Sequence, residues 1–92
     1  MTSTTVGNSV VKLAAAGNRD FFHICVPLNA TANLWVCYDG DSNGPNMTAG
    51  QGTQVAPGQT LQLNNDGIKN IFTHDIYAIS DGPNITVSTN GN

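Results

Sequence analysis

The sequence predicts an all-β fold, a small antiparallel β-sandwich or barrel of about seven to eight short strands. Short runs of β-branched and aromatic residues recur along the chain, turn-forming clusters separate them, and no stretch has the periodicity of an amphipathic helix. The 92 residues are enough for one domain with one apolar core. We therefore expect a single β domain over residues 1–92, with a flexible N-terminal arm at 1–8 and a loose C-terminal tail at 90–92.

The first half of the chain predicts an N-terminal strand and then a central hairpin. Residues 9–15 have the apolar alternation of a first strand. Two apolar runs at 20–28 and 34–39 follow, and both are too short for a typical helix. They flank a polar segment at 29–33 that is rich in turn-forming and small residues, which predicts a β-hairpin.

The register of this hairpin follows from matching apolar residues across the two strands. A turn about Thr31 places Leu28 opposite Leu34 and Cys25 opposite Cys37. Both faces of the resulting ribbon carry large apolar groups. We therefore expect the hairpin to lie centrally, packed against a second sheet or against another subunit.

The second half of the chain predicts short strands separated by strong turn signals. Residues 40–52 contain Gly, Pro, Asn and Asp in the density of a long exposed loop. Pro57-Gly58 has the order of a tight turn, with proline at its first corner and glycine at its second. Strands are predicted at 53–56, 60–63, 75–80 and 85–89, and residues 68–72 form either a short strand or a connecting turn.

The charge balance argues against partners that carry many negative charges. Charged residues make up 10% of the chain, the formal net charge is −3, and only three residues are cationic. Nucleic-acid binding needs a cluster of basic groups, and an anionic membrane surface needs the same. A surface built from amides and hydroxyls instead suits a protein fixed in an assembly or exposed outside a cell.

The N-terminal residues predict synthesis in a reducing cytosol. They have neither the basic start nor the apolar run of a signal peptide, and no window has the length of a transmembrane helix. Cys25 and Cys37 are therefore expected to be free, small and buried. A cross-strand disulfide stays open as an alternative if the protein later meets oxidising surroundings.

Metal binding is weighed first among the chemical functions and is not predicted. His23, Cys25 and Cys37 are zinc-type ligands that the hairpin would bring together, with His74 available from elsewhere. The ligand spacing of small zinc modules is absent, which favours buried thiols and a histidine paired with Asp39. The Asp- and Asn-rich residues after the second run lack the spacing and the terminal glutamate of an EF-hand, and the chain contains no Glu.

The sequence does not predict an enzyme, and no catalytic residue or cofactor is assigned. No nucleophile motif is present, and the carboxylates lie in turns or at strand ends, where a solvated or capping role is expected. Recognition or assembly is the remaining class of function. Aromatic and proline side chains on the less protected hairpin face, with one further strand residue, are the interface candidates: Phe21, His23, Pro27, Trp35 and Tyr77.

The order of features over residues 19–87 resembles small β-structured virion proteins of tailed bacteriophages. A strand of the Arg-x-Phe-x-Ile type ends in an Asn-rich turn, and LWVCYDG, a Gly-rich loop, PGQTLQL, IYAIS and ITVSTN follow in that order. The resemblance implies a β domain that forms oligomers, often trimers, on the outside of a particle. It implies capsid decoration, head-fibre or minor tail roles and supplies no catalytic residues.

We therefore expect a structural virion protein, a capsid decoration or cement component assembled in the host cytoplasm. Its partners would be other copies of itself, as a trimer, and the major capsid protein, with neither nucleic acid nor membrane involved. The N-terminal segment would contact the shell through Val6, Val10 and Val11 by adding a strand to a neighbour. The loop at 40–52 would project outward.

Two alternatives remain at this point. One is a carbohydrate- or receptor-binding module on the virion surface, in which Trp35 or Tyr38 stacks on a sugar and loop Asp and Asn residues bind its hydroxyls. The other is a neck or tail component, which the sequence does not separate from a decoration protein.

Overall fold

The computed structural model describes residues 2–15, 21–38, 46–64 and 75–91, which form two packed antiparallel sheets. Sheet A has the strand order β1-β8-β3-β6, and sheet B has the order β2-β7-β4-β5. The predicted all-β class is confirmed, and the arrangement is that of a small β-sandwich. The strands are β1 Thr2–Val6, β2 Val11–Ala14, β3 Phe21–Cys25, β4 Leu34–Tyr38, β5 Thr53–Val55, β6 Thr60–Asn64, β7 Ile76–Ser80 and β8 Ile85–Gly91.

The main core lies between the two sheets and is built from alternate residues of their strands. Successive side chains of a strand point to opposite faces, so every second residue reaches the interior. Apart from Ser80 and Thr89, which are buried and polar, the inward side chains of the central strands are aliphatic or aromatic. Each fully buried Val, Leu, Ile or Phe contributes about 1.5–3 kcal/mol. The apolar inward side chains are Phe22, Ile24, Leu34, Val36, Ile76, Ala78, Ile85 and Val87.

The predicted central hairpin is wrong, because its two strands lie in different sheets. β3 pairs with β6 and β8, whereas β4 pairs with β5 and β7. Leu28 is 84% exposed while Leu34 is fully buried, so the predicted pair does not form. Placing each strand inside a separate sheet gives it two hydrogen-bonded neighbours and lets the two inner faces meet across the core, which a two-stranded ribbon cannot do.

The positions of the two cysteines follow from this crossover. Cys25 lies opposite Thr60 and Ser88 in sheet A, and Cys37 lies opposite Tyr77 in sheet B. Both thiols are free. The cross-strand disulfide that the hairpin register allowed is therefore not available to them.

The predicted N-terminal arm and C-terminal tail are also different in the structure. β1 pairs with β8 along its whole length, from Thr2 opposite Thr89 to Val6 opposite Ile85. β8 runs on to Gly91, which lies opposite Phe22. Thr-rich segments such as β1 have high β propensity. Hydrogen bonds to β8 hold β1 at the sheet edge with few apolar residues, so the sequence of β1 shows little apolar–polar alternation.

The other predicted strands at 9–15, 53–56, 60–63, 75–80 and 85–89 correspond to β2, β5, β6, β7 and β8. The Pro57-Gly58 turn is confirmed: Gln59 N donates to Ala56 O at 3.0 Å, and Gly58 has a φ of +82°. The segment at 68–72 lies outside the described residues, as do residues 40–45 of the predicted loop. The described part of the chain contains no helix long and apolar enough to cross a membrane.

The segment 46–52 lies against sheet B on the side away from the main core. Gly52 has a φ of +87°, and a Cβ added there would overlap the carbonyl oxygen of Val36 and the sulfur of Cys37. Gly50 has a similar φ of +94° but open space around it. The segment therefore approaches the backbone of β4 as closely as only glycine permits.

These two glycines give a matched test of that close approach. Gly50→Ala should cost about 1 kcal/mol in the free energy of unfolding, because only its backbone conformation is strained, and Gly52→Ala should cost clearly more, about 2–4 kcal/mol, because the new methyl group also displaces the segment. Urea titrations of the two variants measure the difference. Equal losses would show that the segment does not contact β4 at Gly52.

Candidate interaction surface

A second apolar cluster lies on the outer face of sheet B, separate from the main core. Cys37, Met47 and Ile79 are buried there, although they face away from sheet A. Val10, Trp35 and Tyr77 are partly buried and pack around them. We refer to these six residues as the outer cluster.

Strand parity explains why these side chains meet. Trp35 lies opposite Ile79, and Cys37 lies opposite Tyr77, in the register of β4 with β7. Their positions alternate with the inward residues of the same two strands, so both faces of the central pair are apolar. In antiparallel sheets with one solvated face, the outer residues are normally polar.

Met47 covers part of this face, and the aromatic residues around it are partly buried. The methionine is 2% exposed and comes from the segment 46–52. Trp35 and Tyr77, by contrast, keep intermediate exposure. The outer cluster is thus an aromatic-rich surface with a buried aliphatic and sulfur-containing base.

Asp81 holds the indole of Trp35 in place. Its Oδ2 accepts a hydrogen bond from Trp35 Nε1 at 3.1 Å, and its Oδ1 accepts one from the backbone N–H of Asn33 at 2.9 Å. Asn33 Nδ2 also donates to Oδ2 at 3.1 Å, and Asp81 N donates to Asn33 O at 3.1 Å. The Asn33 backbone N–H, followed by the Trp35 indole, lowers the pKa of Asp81 below its usual value.

A shallow cleft of about 320 Å³ lies beside this anchor. Val10, Met47 and Ile79 supply apolar lining, and the carboxylate of Asp81 lies at the same opening. Asn8, Thr48, Ala49 and Ser80 complete the lining. The cleft can hold a small group that presents both an apolar surface and hydrogen-bonding atoms.

Another polar cluster lies at the opposite end of β7. Lys12 Nζ is 3.2 Å from Asp75 Oδ2, and the hydroxyl of Tyr77 donates to the same oxygen at 3.2 Å. Lys12, Asp75 and Asp81 are the charged residues in the described ranges, and all of them belong to sheet B or its flanks. The outer cluster therefore lies between two polar groups, one at each end of β7.

The structure divides the predicted interface candidates between opposite faces of the sandwich. Trp35 and Tyr77 belong to the outer cluster, whereas Phe21 and His23 lie on the outer face of sheet A, with ring centroids 5.0 Å apart. Pro27 follows β3 and is half-buried in the crossover. The five residues therefore do not form one surface.

The predicted shell contacts are divided as well. Val6 is fully buried in the main core, so its prediction as a contact residue is wrong. Val10 packs against the outer cluster, and Val11 lies opposite Ala78 in sheet B. These valines cannot act together as an arm, because the chain that carries them is built into both sheets.

Sequence reasoning missed Met47, Ile79 and Asp81 as parts of one surface. The apolar residues on both faces of 75–80 were a signal for Ile79, since they predict a strand without a purely polar side. Met47 and Asp81 come from segments with turn composition. Nothing in their local sequence indicates which strand each will contact.

The zinc-type ligands that were considered from the sequence, without a metal site being predicted, are not brought together in the described part of the chain. Cys25 and Cys37 lie in different sheets, and Cys25 Sγ lies 3.2 Å from Thr60 Oγ1 instead. His23 lies opposite Gln62 and Asn90, while His74 and Asp39 are outside the described residues. Within 2–15, 21–38, 46–64 and 75–91, no group of three or more His, Cys, Asp or Glu side chains is placed to hold a metal ion.

Comparison with protein families, with curated proteins and with solved structures found no match for this chain. Its resemblance to small phage virion proteins therefore stays a prediction from its residues. The surfaces described above are the structural basis for a functional proposal.

The Asp81 anchor predicts a specific dependence of stability on pH. The folded pKa of Asp81 is lower than the unfolded value of about 3.8, so its stabilisation is present above that value and is lost as the pH falls through the folded pKa. Asp81→Asn should lower the free energy of unfolding near neutral pH by about 1 kcal/mol or less, because the group is exposed.

Urea denaturation near neutral pH and at pH about 2 measures this effect. The difference in unfolding free energy between the wild type and Asp81→Asn should shrink on acidification. Asp75→Asn, at the other end of β7, is the control, and it should leave the fluorescence of Trp35 in the folded protein unchanged. A loss of equal size at both pH values would mean that the carboxylate charge does not support the anchor.

Proposed function

We propose that this chain is a structural virion protein, a capsid decoration or cement component that binds the major capsid protein and other copies of itself. The observation that carries the proposal is the outer cluster of sheet B. A sheet with large apolar side chains on both faces is best satisfied when a partner covers the second face. On this proposal the protein acts passively in the virion, by burying apolar surface between neighbouring subunits.

The composition of the outer cluster supports a docking role. Trp and Tyr are enriched among the residues that dominate binding energy, because they bury a large area and lose little side-chain freedom. Trp35 is already oriented by its hydrogen bond to Asp81, so less ordering is needed on binding. Tyr77 is similarly held by its hydroxyl on Asp75.

The size of the sandwich is compatible with a stable contact. Its two longer extents are 35 and 26 Å, and these span its broad faces. A specific complex needs roughly 800 Å² on each partner, which most of one face could supply. We therefore assign the outer face of sheet B to the shell, which leaves the opposite face of the sandwich directed outward.

Adding the purified protein to capsids that lack it tests this proposal. The proposal predicts saturable binding and a higher melting temperature of the capsids. Gln54→Lys should weaken binding at least tenfold, because Gln54 is exposed and lies opposite Trp35, so a lysine there meets the partner at the edge of the outer cluster.

Thr86→Lys is the matched control, since Thr86 is exposed on sheet A and the added charge is the same. It should bind as the wild type does. Capsids that gain no stability, or a Thr86→Lys variant that binds more weakly than Gln54→Lys, would contradict the assignment of the docking face.

A second candidate function is favoured by the cleft beside Trp35. Asn8, Thr48 and the carboxylate of Asp81 line this cleft and would bind the hydroxyls of a sugar. The indole of Trp35 does not line the cleft, but it is hydrogen-bonded to Asp81 and would offer a ring for stacking beside it. This arrangement would make the chain a carbohydrate- or receptor-binding module on the virion surface. A neck or tail position is equally compatible with passive docking.

A glycan array with the purified protein separates the two functions. The decoration role predicts no saturable signal. A signal that is lost in Trp35→Ala, which removes the stacking ring, and retained in Phe21→Leu on the opposite face, would replace the decoration role with the carbohydrate role. Circular dichroism of each variant checks that the fold is kept.

A further inference from the structure

The two sheets differ in how their edges are protected from pairing with another chain. In sheet B, edge strand β2 carries Lys12 and has a break in register between Lys12 and Ala14. Edge strand β5 is only three residues long and is followed closely by Pro57. A charged side chain, an irregularity, a short strand and a proline are the devices that block edge-to-edge association.

Sheet A has none of these devices on its edge strands. β1 and β6 are each five residues long, and their sequences, TSTTV and TLQLN, contain no charged residue, proline or glycine. Each pairs in unbroken register with its inner neighbour. Neither strand has a second strand beside it in the described part of the chain.

The directions of these strands make the two edges complementary. All neighbours in the order β1-β8-β3-β6 are antiparallel, so β1 and β6 run in opposite directions. β1 of one copy can therefore pair antiparallel with β6 of the next copy, and sheet A continues with the same face toward the core.

The side chains on the two edges support this pairing. Leu61 and Leu63 pack against the core from β6 but remain partly exposed, and Thr4 on β1 points to the same side. A neighbouring β1 would cover the leucines. The strands of sheet A carry no Lys, Arg, Asp or Glu, so the contact brings no charges together although each copy has a net charge of −3.

We propose that copies of this chain join edge to edge, β1 of one copy with β6 of the next, and close into a ring. A single repeated contact then satisfies both open edges of every copy, whereas a twofold pairing of like edges satisfies only one of them. Because each copy offers one β1 edge and one β6 edge, the same contact repeats around the ring until it closes.

The inference deepens the proposed function and rests on it only for its setting on a capsid. It supplies the contact between copies and uses the edges of sheet A. The outer face of sheet B stays free for the shell.

Charge substitutions on the two edges test the ring. Ser3, Thr5 and Gln62 are exposed and point to the outer side of sheet A. Within one chain β1 and β6 are three strand spacings apart, about 14 Å, so charges placed there do not meet. In the pairing between copies, strand parity places Gln62 opposite Ser3 or Thr5.

Two triple variants share the substitutions Ser3→Lys and Thr5→Lys on β1. They differ only on β6, where one carries Gln62→Lys and the other carries Gln62→Glu. At low salt, analytical ultracentrifugation of the wild type should give a single closed oligomer, at least twice the 9.6 kDa mass of the chain. The Gln62→Lys triple variant should fall to the monomer mass, and the Gln62→Glu triple variant should return to the mass of the wild-type oligomer. Circular dichroism should show the same fold in all three.

Two results would overturn the ring. The first is a wild type that is monomeric up to millimolar concentration. The second is that the two triple variants have the same mass, because a β6–β6 pairing, unlike a β1–β6 pairing, would bring like charges together in both. These measurements use the purified chain without capsids. A negative result would therefore overturn the ring but not the proposed binding to the shell, which the capsid experiment tests separately.

Discussion

β4 and β7 carry large apolar side chains on both of their faces, and only one of these faces can lie between the two sheets of a sandwich. The inner face joins the main core through residues such as Leu34 and Ala78, which are fully buried. The outer face is left with Trp35, Tyr77 and the residues beneath them. The hydrophobic effect acts on both faces alike, so the second face needs a cover from elsewhere in the chain or from a partner.

The chain supplies part of this cover itself. Segment 46–52 places Met47 over Cys37 and Ile79, and Gly52 allows that segment to approach β4 closely. Asp81 fixes the indole at the margin of the covered area. A partly covered apolar face with oriented aromatic residues is what we expect when the same surface both stabilises the fold and contacts a partner. The decoration role and the carbohydrate role both use this face, and they differ in what completes its cover.

The sequence was sufficient to predict most of the strands, though not β1, and much of the core, because alternation is a local property. Ile24, Leu34 and Val36 lie on the buried faces of short apolar runs, and each is buried in the structure. The pairing of those runs was not predictable in the same way. Apolar residues also matched across the predicted hairpin of β3 with β4. These strands lie in separate sheets because β3 pairs with β6 and β8 instead, and β4 pairs with β5 and β7.

Polar segments were harder to predict than apolar ones for a related reason. Residues 2–6 have the composition of a mobile arm, yet hydrogen bonding to β8 and the burial of Val6 at one end hold them as a strand. Asp81 lies in a segment with the composition of a turn, yet its carboxylate accepts hydrogen bonds from Asn33 and Trp35, which are distant in the sequence. In both cases the decisive partner comes from a remote strand, and no local pattern names it.

We propose that a partner covers the outer face of sheet B. An electron cryomicroscopy reconstruction of a particle that carries this chain would show which face of the sandwich is covered. We expect Trp35 and Tyr77 to lie against the major capsid protein and β1 and β6 of neighbouring copies to be paired. A particle in which the outer cluster faces solvent and sheet A faces the shell would contradict it.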